Sequence, residues 1–100
     1  MELTVDFETE IIEQIRSDQA FTNILLDELE ELLSQSECEP AQGMLRVLIV
    51  GTIGFDALAN SLSIPSLSLQ QLLSQKNPPH NASLKVITKA LKLALRVAAS

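Results

Sequence analysis

The chain has no tryptophan, no tyrosine and only three phenylalanines in 100 residues. Single-stranded nucleic acid is held largely by bases stacked on aromatic rings, so that ligand class is disfavoured, and a core must come from Leu, Ile, Val and Ala. The one cysteine, Cys38, excludes an intramolecular disulfide, and its polar segment offers no basic neighbour to activate it as a nucleophile. The one histidine, His80, excludes a multi-histidine metal centre and a relay through two histidines. Three glycines leave no Gly-rich phosphate loop. The longest apolar run, Val47 to Ile53, is too short to cross a bilayer and reads as a buried core helix. The first residues are acidic where a secretory leader needs a basic stretch, which together with the lone cysteine predicts a cytoplasmic protein with no membrane partner. Carboxylates at helical spacing serve solubility more readily than acid–base chemistry. No enzyme activity, cofactor or metal site is expected.

Positive charge is also scarce, and its distribution is informative. The net charge is −6, yet residues 1–40 hold twelve carboxylates against Arg16 alone, while residues 41–100 hold six Lys and Arg against Asp56 alone. Opposite signs on two segments suggest an acidic part that meets a basic partner and a basic part that meets a polyanion. Two regions are expected accordingly: an acidic helical N-terminal extension over 1–39 and a second domain over 40–100.

The apolar residues that are present recur at helical spacings. After a brief extended start at Leu3-Thr4-Val5, Asp6 is a candidate cap for a helix carrying Ile11, Ile12 and Ile15 that stops near Arg16-Ser17. Asp18 then caps a second helix, in which Phe21, Ile24, Leu25, Leu29, Leu32 and Leu33 make one stripe while Asp27, Glu28, Glu30 and Glu31 face out. Ser34 to Glu39 is a polar linker, and Pro40 opens a third helix to about Gly51. Asn81 is the expected cap of a last helix with Leu84, Val86, Ile87, Ala90 and Leu91 inward and Lys85, Lys89 and Lys92 outward. Residues 93–97 fit either a continued helix or a strand, with the helix favoured because no Gly or Pro stops it.

Between these lies the most specific pattern. Residues 54–74 read as two short helical patterns, the first with Leu58, Ala59 and Leu62 and a cap at Asp56, the second with Leu69, Leu72 and Leu73. Pro65 holds Ser63-Ile64 out of the α region and suits the start of a new helix. This is the pattern of a helix-turn-helix, whose second helix presents its outer side to the DNA major groove. Ser66, Ser68, Gln70 and Gln71 are the candidate readers, since Gln pairs bidentately with adenine and Ser bonds phosphate or base edges. Lys76 and Asn77 are the candidate phosphate contacts in the following loop. Ser68 also falls close to the packing side of its helix.

The run from Phe21 to Val97 resembles the small helix-turn-helix antitoxins known as addiction-module antidote proteins, relatives of phage-repressor-like regulators. The resemblance is carried by Leu58-Ala59, Ile64, Ser68-Leu69 and Leu73-Ser74, and then by Asn77-Pro78, Leu84-Lys85-Val86 and Lys89-Ala90-Leu91, without a gap from Leu58 onward. It implies an all-α helical bundle, binding to operator DNA and neutralisation of a RelE-like ribonuclease toxin, which would be a basic protein. Departures fall where readout would be decided. Ser66-Leu67 stands where the family has an Arg-Glu pair, Ala57 where it has a phosphate-touching Gln, Ser63 at its turn glycine and Lys92 at the glycine that ends the last helix.

The predicted fold is therefore all-α, with five helices or more around Leu48, Leu58, Leu69, Leu73, Leu84 and Ile87. The expected function is a DNA-binding antitoxin or repressor. It would act as a homodimer, paired through Ile11, Ile12 and Ile15 together with Leu93, Leu95 and Val97. The alternative is a degenerate helix-turn-helix that serves protein interaction or dimerisation without reading DNA.

Overall fold

The computed structural model describes residues 5–74 and 80–99. Among them are six helices and no strand: α1 (Val5–Ser17), α2 (Gln19–Ser34), α3 (Cys38–Gly51), α4 (Gly54–Leu62), α5 (Ser66–Leu72) and α6 (Asn81–Ala99). The chain is all-α, as the spacing of its leucines requires.

Helix α1 begins at Val5, so Asp6 lies inside it rather than capping it, and Val5 is not extended; Leu3 and Thr4 lie outside the described residues. The helix stops at Ser17, whose hydroxyl donates back to the Glu13 carbonyl at 3.1 Å. Asp18 is then extended (φ −137°, ψ 101°), and its carboxylate accepts from the Phe21 amide, which makes it the expected N-cap of α2. Thr22 bridges the break by donating to the Ile15 carbonyl at 3.0 Å. On α2 the buried stripe is Thr22, Leu26, Leu29 and Leu33. Ile24 does not join it. It sits two residues from Leu26, about 200° around the helix, and is 60 % exposed.

The linker before α3 is shorter than expected, because α2 runs through Ser34 and α3 starts at Cys38, two residues ahead of Pro40. Pro40 is tolerated there since amides in the first turn have no intrahelical partner. The apolar run of α3 is core, as predicted: Val47, Leu48 and Ile49 are all buried. At the far end, Gly51 lets α1 approach closely. A Cβ at that position would lie 2.8 Å from Ile15 Cγ2 and 3.3 Å from the Ile12 carbonyl oxygen. Gly54, at φ +84°, turns the chain into α4, and Asp56 lies within the first turn of that helix without capping it.

Residues 93–97 belong to α6. Leu84, Ile87, Leu91 and Leu95 keep a spacing of three and four against the core, which a strand could not satisfy, whereas Val86, expected inward, is 60 % exposed because it lies about 200° around the helix from Leu84. The amides of Ser83 and Leu84 bond to the His80 carbonyl, so His80 takes the cap position and Asn81 the first helical one. The Asn81 side chain is used elsewhere. Its amide donates to the Leu33 carbonyl at the end of α2 at 2.8 Å, and its oxygen accepts a weak bond from Cys38 Sγ at 3.9 Å.

All six core residues predicted from the sequence are 4 % exposed or less. Ile15, Leu26, Leu29 and Leu33 from the acidic segment pack into that same core. No single helix among the described residues is long and apolar enough to cross a membrane, and the α3–α4 pair is bent by 107°.

Candidate nucleic-acid interface

The turn between α4 and α5 is built as the sequence spacing demands. Ser63 closes α4 in the left-handed region (φ 59°, ψ 39°), and the Ser63 and Ile64 amides bond back to the Asn60 and Ala59 carbonyls. Pro65 precedes α5 in an extended conformation, and its carbonyl accepts the amide of Leu69. Leu69 and Leu73 are fully buried and Leu72 is half-buried, so α5 rests on the expected side.

Three of the predicted readers lie away from that side, and Ser66, seven residues before Leu73, lies at its edge. Ser68, Gln70 and Gln71 are exposed and Ser66 is half-exposed; Ser68 therefore lies clear of the packing side. Gln70 Nε2 donates to Ser66 Oγ at 3.2 Å, one turn earlier. That bond uses one N–H of the Gln70 amide and leaves its carbonyl and second N–H for other partners. Leu67 shares this exposed surface, at 65 % exposure. Lys76 and Asn77 lie outside the described residues.

Two side chains of α3 hold the end of α5. Gln42, buried, donates to the Leu72 carbonyl at 2.8 Å, and Arg46 Nη1 donates to the Leu73 carbonyl at 3.2 Å. Arg46 also pairs with Glu8 of α1 through Nη2. The last carbonyls of a helix have no partner of their own, so these bonds set where α5 sits. Sequence reasoning missed both residues. The available signal was two polar side chains four apart on a helix otherwise apolar in that stretch.

The basic residues of the second segment lie elsewhere. Lys85, Lys89, Lys92 and Arg96 follow one side of α6 and line a groove of about 450 Å³ against the end of α2, with Leu33, Thr88 and Leu93 supplying apolar surface. Lys92 is paired with Glu30 across it. Nothing matches among known proteins: no family model, no curated protein and no solved structure aligns with this chain. The case for a function therefore rests on the side chains themselves.

His80 is exposed and Cys38 is half-buried. Among the described residues no three His, Cys, Asp or Glu side chains gather to hold a metal ion. The isoleucines expected at a dimer interface are engaged within the chain, Ile15 buried and Ile11 and Ile12 packed on its core. Leu93, by contrast, is 53 % exposed, and Leu95 packs against the core. The Val97 side chain lies outside what is described.

Proposed function

We propose that this protein is a DNA-binding regulator of the antitoxin type that reads duplex DNA in the major groove with α5. One observation carries the reading. A short helix, buried on one side and held at its end by Gln42 and Arg46, leaves Ser68, Gln70 and Gln71 exposed, with Ser66 half-buried at the edge of its packed side. Glutamine amides match the donor and acceptor of adenine, and serine hydroxyls bond phosphates or base edges. Exposed carboxylates on α1, Glu10 and Glu13, support a basic toxin as the protein partner.

The test is binding of the full chain to selected and to random duplex DNA across a salt series. Affinity should fall steeply with salt. Gln71→Ala should cost about 1–3 kcal/mol on the selected duplex only, and Lys76→Ala should weaken both duplexes and reduce the salt slope by about 1. Variants that bind like wild type, or a wild type that binds neither duplex at low salt, would refute the reading.

A specific observation favours the second reading, a helix-turn-helix that docks a protein instead. The exposed side of α5 carries Leu67 and no Lys or Arg, while the described cations of the second segment are committed to Glu8 or to the α6 groove. Absence of salt-dependent DNA binding would select it.

A further inference from the structure

We infer that the chain pairs with a second copy of itself through the surfaces on either side of the α2–α6 groove. Among the described residues four large apolar side chains are strongly exposed, and three of them, Ile24, Val86 and Leu93, belong to these two helices. Each lies within a surface of one charge. On α2, Ile24 is followed at helical spacing by Asp27, Glu28 and Glu31, all exposed. On α6, Val86 and Leu93 are interleaved with Lys85 and Lys89, both exposed. An apolar centre in an acidic rim and an apolar centre in a basic rim are complements of one another.

The two surfaces also stand in a usable relation. Glu30 and Ser34 form one wall of the groove and the α6 cations the other. Asp27, Glu31 and Ile24 follow around α2 from the Glu30 wall, and Lys89, Leu93 and Val86 follow around α6 from the Lys85 wall, at about 100° per residue. A two-fold axis along the groove lays the acidic surface of one copy on the basic surface of the other, twice over. An axis across the groove would set like charge on like. Charge thus selects one isologous arrangement, in which every acid-on-base contact occurs in duplicate.

The proposal stands apart from the DNA reading, and its test contains no DNA, so failure of one leaves the other untouched. Light scattering of the full chain at low salt should give twice the 10.9 kDa chain mass, falling toward the single mass when salt is raised enough to shorten the screening length to about 3 Å. Glu28→Lys with Glu31→Lys in one variant, and Lys85→Glu with Lys89→Glu in another, should each weaken self-association at least about tenfold, because both contacts become repulsive. Mixing the two variants in equal amounts should restore the doubled mass, since every contact in the mixed pair is again of opposite sign. All four residues are exposed, so helix content by circular dichroism should match wild type. If a reversed variant loses helix, Leu93→Gln carries the test by removing apolar contact without changing charge, and should also weaken pairing. A wild type of single mass at low salt, variants that pair like wild type, or a mixture that stays at single mass would each overturn the proposal.

Discussion

Ser63 occupies a backbone conformation that costs an L-residue about 1–2 kcal/mol, and it does so at the turn on which the α4–α5 pair depends. Glycine would remove that strain and lose some of the gain to chain entropy, so Ser63→Gly should raise stability by about 0.5–1 kcal/mol in urea unfolding. Gln42 makes the opposite prediction. Its amide is buried on the Leu72 carbonyl, and Gln42→Ala should cost about 1–2 kcal/mol in the same measurement by leaving that carbonyl without a partner. The two residues differ in how far sequence reveals them. The turn at Ser63 is legible because Pro65 forbids helix just before itself and leucines resume their spacing beyond. The bond from Gln42 is not, because it joins residues thirty apart and needs the α3–α5 packing angle before it exists. Asn81 shows the same limit. A local rule makes it a helix cap, but its side chain faces the open end of α2 and bonds there to Leu33.

At the scale of elements, α1 approaches α3 closely at Gly51. A methyl group there would meet the β-branched side chain of Ile15 and the backbone of α1, neither of which yields easily. Gly51→Ala should therefore destabilise by about 1–3 kcal/mol despite alanine's better helix propensity, and thermal unfolding measures it. Helix α6 illustrates a pattern that was ambiguous in sequence. Leu93-Ala94-Leu95-Arg96-Val97 alternates like a strand, yet Leu91 and Leu95 are one helical turn apart and both meet the core, and burial against α2, α3 and α4 decides for helix. The stripe on α2 was centred wrongly, with exposed Ile24 included and buried Thr22 and Leu26 left out, for leucines on neighbouring positions leave the centre of the stripe undetermined until a partner surface chooses it.

For the whole molecule, the decisive fact is that the acidic N-terminal helices and the helix-turn-helix segment share one core. Without residues 1–39 the core would lose Ile15, Leu26, Leu29 and Leu33, α3 would lose the two helices α1 and α2 packed on it, and the remaining segment would be near the size at which a single core is marginal. The truncated chain 40–100 should accordingly lose its cooperative thermal transition, as followed by circular dichroism. The sequence by itself determined the helical class, the positions of the turns and most of the buried leucines, because those follow from the spacing of apolar side chains and the stiffness of proline over a few residues. It also singled out Ser68, Gln70 and Gln71, since helical period separates them from Leu69 and Leu73, whereas Ser66 stands seven residues before Leu73 and is half-buried. Only the tertiary structure decided where charge would act. The cations of α6 read as a basic surface of the second segment, and they came to rest beside the carboxylates of α2, because the apolar stripes of the two helices share one core and carry their opposite outer sides to a common groove.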